Sequence, residues 1–193
     1  VNTIAGFSIV SYVGGGTQDL TVGHGLGTTP DMIIVKNRSI AEEWRVWHSS
    51  LSGSTYKLSL NGTGAEDSSS TVFNGQSSTT FTVGTDPSVN GNGNNIIAYC
   101  FNSVKGYSKF GSYAGNQVAD GTFVYTGFKP AFVMIKRYSV GNPTATGWNI
   151  LDNKRDPENV MDTILQPNNS NADANDSNKY CDFLSNGFKW RAS

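Results

Sequence analysis

The sequence predicts an all-β protein, an antiparallel β-sandwich or jelly-roll-like fold built from two tandem copies of one module. Three observations carry that prediction. Short apolar runs, many of them alternating, recur at spacings of about 8–12 residues between clusters of Gly, Asn, Ser and Thr. No window keeps a 3.6-residue apolar period through three turns, so long helices are not expected. Segments near the start also return about a hundred residues later. Gly6-Phe7-Ser8-Ile9-Val10-Ser11-Tyr12-Val13-Gly14 is answered by Gly106-Tyr107-Ser108-Lys109-Phe110-Gly111-Ser112-Tyr113-Ala114-Gly115, with one residue inserted. Pro30-Asp31-Met32-Ile33-Ile34-Val35-Lys36 is answered by Pro130-Ala131-Phe132-Val133-Met134-Ile135-Lys136, and Trp44-Arg45-Val46-Trp47-His48 by Trp148-Asn149-Ile150-Leu151-Asp152. Matches in one order and at nearly one spacing put the copies at 1–105 and 106–193, expected to pack as one compact domain.

In chain order, Ile4 to Val13 reads as a strand ended by the turn Gly14-Gly15-Gly16. Asp19 to Val22 alternates, and Gly23 to Pro30 is a turn cluster. Asp31 to Lys36 is continuously apolar, as in a strand buried on both faces. Glu43 to His48, Tyr56 to Leu60 and Thr79 to Val83 alternate, and Asn95 to Phe101 closes the first copy as a central strand. The second copy predicts strands over Tyr107–Tyr113, Gly121–Tyr125, Ala131–Tyr138, Gly147–Leu151, Tyr180–Leu184 and Gly187–Arg191. Asp156 to Leu165 is expected to give at most a turn or two of helix, with Asp156 as N-cap and Pro157 at the first helical position. The second copy stops before any counterpart of Asn95–Phe101 and so lacks its last strand. Two explanations stay open, a shortened chain or a strand added by a neighbouring subunit at an open edge. With no initiator Met and no signal peptide, Val1 reads as the start of a fragment of something longer.

Composition narrows the function classes. A net charge of −1 without a basic stripe gives no electrostatic support for nucleic-acid binding. No apolar run approaches the roughly 20 residues of a membrane span, so no membrane insertion is expected. Cys100 and Cys181 are the only cysteines. They read as buried apolar residues, or as a pair if the fold brings them together.

Tandem copies favour binding or structure over catalysis, because an enzyme concentrates its chemistry in one asymmetric site. His24 lies in Gly-His-Gly-Leu-Gly, and with His48 alone to join it no metal-ligand spacing appears. His24, Gly25, Gly27 and Pro30 are therefore read as a structural turn ordered by a ring hydrogen bond. There is no G-x-S-x-G elbow. The acid pairs Glu42/Glu43 and Asp152/Asp156, of the kind glycoside hydrolysis needs, read as solvated surface. No catalytic residue and no cofactor is assigned. Calcium is kept open for the oxygen-rich loops 86–95 and 168–178, the latter with Asp173 and Asp176. Those loops, with nearby aromatics, also suit a glycan surface, in which amides bond hydroxyls and rings stack on sugar faces. Asn90, Asn92, Asn94, Tyr56, Trp148 and Trp190 are the candidates, and one of Trp44 and Trp47 should belong to the core.

Several runs together resemble a β-rich domain of tailed-bacteriophage virion proteins, frequent in tail-fibre-like polypeptides of marine phages. They are Gly6-Phe7-Ser8-Ile9-Val10, Gly23-His24-Gly25-Leu26-Gly27 leading to Pro30–Arg38, Trp47-His48-Ser49-Ser50-Leu51, Ile97–Phe101, Gly106–Tyr113, Gly127–Lys136 and Phe183–Lys189. The resemblance covers essentially the whole chain and brings no catalytic residues. It implies a virion component, assembled in the host cytoplasm and extracellular when mature, with other virion subunits as partners. For a fibre it implies a homo-oligomer, a trimer foremost, and recognition of bacterial surface glycan. The alternatives are a capsid or tail decoration protein with a purely structural role and a polysaccharide-degrading tailspike.

Overall fold

A computed structural model describes residues 1–139 and 146–191. Its strands are β1 (Phe7–Val13), β2 (Leu20–Gly23), β3 (Met32–Asn37), β4 (Arg45–His48), β5 (Tyr56–Ser59), β6 (Asp67–Ser68), β7 (Phe73–Gln76), β8 (Thr80–Val83) and β9 (Asn95–Phe101). They continue as β10 (Phe123–Tyr125), β11 (Phe132–Ile135), β12 (Asn149–Asp152), β13 (Thr163–Ile164), β14 (Ala174–Asn175), β15 (Tyr180–Leu184) and β16 (Gly187–Arg191). One short helix, α1 (Pro87–Asn90), stands between β8 and β9. All ladders are antiparallel, and the protein is all-β.

The first half is a sandwich. A six-stranded sheet ordered β1-β9-β3-β4-β5-β6 faces a three-stranded sheet ordered β2-β8-β7. Alternation decides which side chains meet between them. Ile33 and Val35 of β3, Ile96, Ala98 and Cys100 of β9, and Trp47 of β4 point inward against Val22, Phe73, Phe81 and Val83. The opposite face of the same sheet is apolar where the second half covers it, through Met32, Val46, Leu58 and Trp148 with Phe101, Phe110 and Met134 around them. This double covering is why Asp31–Lys36 reads as an unbroken apolar run.

The second half has its own smaller core of Val133, Leu151, Met161, Ile164, Cys181, Phe183 and Phe188. Its three-stranded sheet is ordered β10-β16-β15, which is first, last, middle in chain terms, as in β2-β8-β7. Strands β11 and β12 pair with Phe132 opposite Asp152, as β3 and β4 pair with Met32 opposite His48.

Two expected elements are absent among the described residues. Residues 156–165 form no helix: Asp156 instead accepts from the amides of Asp162 and Thr163 at 3.0 and 2.8 Å and from the Thr163 hydroxyl at 2.7 Å, folding the loop around its carboxylate. Tyr107–Tyr113 forms no strand, because the ladder of β1 is made with β9 and no strand stands in the corresponding place among the described residues. The cysteines are unpaired, since Cys100 lies in the first core and Cys181 in the second. Burial pushes both thiols up to about 12.

Candidate functional site

The outer face of the six-stranded sheet is only partly covered. Beyond the side chains that meet the second half, an open groove of about 430 Å³ is left, lined by Lys36, Asn37, Arg38, Ile40, Trp44, Ile97 and Tyr99. Its floor follows from register. Lys36 sits opposite Ile97, Ile34 opposite Tyr99, and Ile9 of β1, 52% exposed, flanks Tyr99 on the other side.

The groove's wall is the connection from β3 to β4, and it is tied down. Lys36 Nζ donates to the Glu42 carbonyl at 2.6 Å. Asn37 is buried; its Oδ1 accepts from the amides of Ser39 and Ile40 at 2.9 and 3.3 Å, while its Nδ2 donates to the Pro87 carbonyl at 2.7 Å. Arg38 and Asn95 close the rim, the Arg38 amide on the Asn95 carbonyl and the Asn95 amide on Ser39 Oγ, both at 2.8 Å. Trp44 is fixed by its amide to Asn61 Oδ1 at 3.0 Å. The Arg38 side chain is exposed and makes no ion pair among the described residues. Two aromatic rings beside two cations on a rigid sheet suit a flat polar ligand with an apolar face: rings take its C–H face, and cations take hydroxyl or acidic oxygens.

A smaller polar cleft of about 200 Å³ lies at the β13–β14 end, with Gln166, Asn169, Asn171, Asn175, Asp176 and Lys179 on its walls. It holds no aromatic ring, and its groups largely satisfy one another. Asn169 Nδ2 donates to Gln166 Oε1 at 2.7 Å, and Lys179 pairs with Asp176 at 3.1 Å.

The residues singled out from sequence scatter. Asn90 must be corrected: it is completely buried, its Oδ1 accepting from the amides of Gly15 and Gly16 and its Nδ2 donating to the carbonyls of Thr17 and Gly84. Trp148 must be corrected too, being buried in the core between the halves with Nε1 donating to the Ser59 carbonyl at 2.9 Å. Asn92 is exposed and Asn94 half-buried on the loop behind α1, on neither the groove nor the cleft. Tyr56 is half-buried against the core between the halves, and Trp190 against the core of the second half. Of the two early tryptophans, Trp47 is the core residue and Trp44 lines the groove.

The His24 turn is built as a hydrogen-bonded loop. The buried ring accepts the Leu26 amide at Nδ1 and meets the Ser77 carbonyl at Nε2, both at 3.2 Å, so Nε2 carries the proton. Gly25 and Gly27 have φ of 71° and 77°, which glycine adopts without strain, and Pro30 is buried at the entry to β3.

The acid pairs are engaged locally. Glu43 pairs with Arg45, and Asp152 pairs with Arg155. In the calcium-candidate loops, Asp86 caps α1 through the Ser88 amide at 2.9 Å, and Asp173 pairs with Arg155 at 2.9 Å. Among the described residues there is no group of three or more His, Cys, Asp or Glu able to hold a metal ion.

Sequence reading missed Lys36, Arg38, Ile40, Ile97 and Tyr99. The available signal was in Asn95–Phe101, apolar at odd as well as even positions. A strand covered on one face only would carry polar residues at one of those sets.

No curated protein and no solved structure matches the chain. Residues 1–193 match the family described as a domain of unknown function (DUF7483), and the chain belongs to that family.

Proposed function

We propose that this domain is a non-enzymatic module of a tailed-phage virion, a tail-fibre or receptor-binding element that holds host-surface glycan in the groove at Trp44 and Tyr99. The observation that carries the reading is the groove itself, with aromatic faces and the cations Lys36 and Arg38 on a sheet braced from behind by a sandwich core. The resemblance of the sequence to virion β-domains supports the setting. Tandem copies support it as well: three segments recur in order, and the three-stranded sheets of the two halves share one strand order. Each groove contact is weak, so avidity would come from several subunits, a trimeric fibre foremost, in one virion.

The test is binding of the fluorescently labelled domain to a panel of marine bacterial cells, with and without periodate oxidation of surface glycan. Saturable, periodate-sensitive binding to some strains, lost in Trp44→Ala and Tyr99→Ala variants that keep their melting midpoints, is the expected result. Binding that survives both substitutions removes the groove from the reading. A domain that binds no strain yet docks on purified virions favours a decoration role, for which the side of β11 left unpaired among the described residues is the specific observation.

A further inference from the structure

Given the glycan reading of the Trp44–Tyr99 groove, on which this rests, we propose that the glycan held there is acidic, with carboxylate or sulfate oxygens of a polysaccharide on Lys36 and Arg38. A neutral polysaccharide is the class the groove discriminates against.

Strand register lays the groove out as a grid. Alternation turns Lys36 of β3, Ile97 and Tyr99 of β9, and Trp44 beside β4 to one face of the sheet. Lys36 stands across from Ile97 on one side and, one step beyond the Val35–Arg45 pair, across from Trp44 on the other. Arg38 follows two residues on, its amide on the Asn95 carbonyl at 2.8 Å, so its side chain leaves the sheet on the same side as Lys36. Two residues of strand advance about 7 Å and neighbouring strands lie about 5 Å apart, so both cations are within reach of a sugar stacked on Trp44. The backbone positions of Trp44 and Tyr99, two strands and one row apart, are about 12 Å from each other by the same spacings, a span for more than one sugar unit.

The positive charge of the groove has no counter-charge. None of the lining residues is Asp or Glu. Lys36 and Arg38 form no ion pair among the described residues, and residues 140–145 and 192–193 include no acidic side chain that would supply one. The nearby acids are turned elsewhere. Glu42 meets Lys36 through its backbone carbonyl, while Glu43 and Asp86 pair with Arg45, which alternation sends to the face opposite Val46. Trp44 Nε1, the Tyr99 hydroxyl and the Arg38 guanidinium make no hydrogen bond among the described residues. A guanidinium fork takes a carboxylate or sulfate through two N–H bonds, and Lys36 Nζ has donors left after its bond to Glu42. The rings meanwhile take the C–H faces of the sugars. A neutral glycan would fill the same space and leave the charge unmatched.

The test uses the intact domain and four immobilised acidic polymers, alginate, polygalacturonate, hyaluronate and dextran sulfate. Each stands beside its uncharged counterpart, the carboxyl-reduced polymer or dextran. At least one acidic polymer is expected to bind saturably and at least about tenfold tighter than its counterpart, and the arm that responds tells carboxylate from sulfate. Arg38→Gln, which alters a side chain with no partner among the described residues, should remove at least about tenfold of that affinity. Lys36→Gln should do the same, with its melting midpoint checked because it gives up the bond to the Glu42 carbonyl. Lys129→Gln/Lys154→Gln removes twice the charge from exposed positions outside the groove and should leave binding unchanged. Equal binding of the uncharged counterparts overturns the acidic class and leaves the groove a site for neutral glycan. No binding of any acidic polymer also overturns it, as does a preference that survives Arg38→Gln and Lys36→Gln, or an equal loss in Lys129→Gln/Lys154→Gln. The glycan reading itself is decided separately, by whether periodate-sensitive cell binding is lost in Trp44→Ala and Tyr99→Ala.

Discussion

The side-chain amide of Asn90 donates to the carbonyl of Thr17, 73 residues earlier in the chain, at 2.7 Å. With its second N–H on the Gly84 carbonyl and its oxygen shared by the amides of Gly15 and Gly16, Asn90 uses all four of its hydrogen-bonding positions to join the β1–β2 turn to the end of α1. Truncation would leave the Gly15 amide and the Thr17 and buried Gly84 carbonyls short of a partner, while the Gly16 amide keeps the Asn90 backbone carbonyl at 2.9 Å. Asn90→Ala should therefore cost at least ~2 kcal/mol in urea unfolding, since each unpaired buried polar group costs about 1–3 kcal/mol. Asn92→Ala, two residues away and exposed, should stay within about 0.5 kcal/mol of the parent. Equal effects at the two positions would refute the structural role of Asn90.

Trp148 joins the halves. Its ring lies with Met32, Val46 and Leu58 of the first half, and its Nε1 reaches the Ser59 carbonyl across 89 residues of chain. Trp148→Ala should cost about 3–5 kcal/mol, the usual cost of removing a buried large aromatic residue. The loss should fall on cooperation between halves, so amide exchange should rise in β11 and β12 before it rises in β3 and β9. A variant that lowers protection uniformly would show that the two halves unfold as one unit.

Strand periodicity was readable wherever one face alone is buried or both are. Asn95–Phe101, Tyr180–Leu184 and Gly187–Arg191 are strands over the residues that alternation or apolar runs indicate. What escaped depends on partners or on burial of polar groups. Phe73–Gln76 has one apolar residue, so β7 has almost no pattern of its own and is fixed by pairing with β8. Asp-Pro occurs twice, at 86–87 and 156–157, and the helix forms only at the first. There Val89 and Asn90 have a core and polar partners to enter, whereas Asp156 is drawn to the amides of Asp162 and Thr163. Composition flagged the loop asparagines and tryptophans as ligand-facing, but an amide that can make four hydrogen bonds is also the side chain that can close a buried backbone turn, and only the fold decides between them. Tyr99 was hidden for the converse reason, because a half-buried aromatic residue on a strand has the same period as a core one, and only the fold decided which of Trp44 and Trp47 enters the core.

The two histidines share one device, and it gives the protein an acid sensitivity. Each ring accepts at Nδ1 the amide two residues ahead, His24 from Leu26 at 3.2 Å and His48 from Ser50 at 3.0 Å. Burial holds both imidazoles below their ordinary range, more than the Ser77 carbonyl at His24 and the Asp31 carboxylate at His48 raise them. In the unfolded chain each titrates near pH ~6.5. Above that value folded and unfolded states are both neutral, and the stabilising contribution is complete. As pH falls from there toward the lower folded values, the unfolded state takes up protons that the folded state refuses, and stability is lost at up to about 1.4 kcal/mol per pH unit for each histidine. Urea midpoints should thus fall between pH 7.5 and 5.5, before most carboxylates titrate. Asparagine also accepts an amide two residues ahead and carries no titrating group, so the His24→Asn/His48→Asn double variant should lose most of that slope even if it is less stable at pH 7.5. A double variant with the parent's slope would assign the acid sensitivity to other groups.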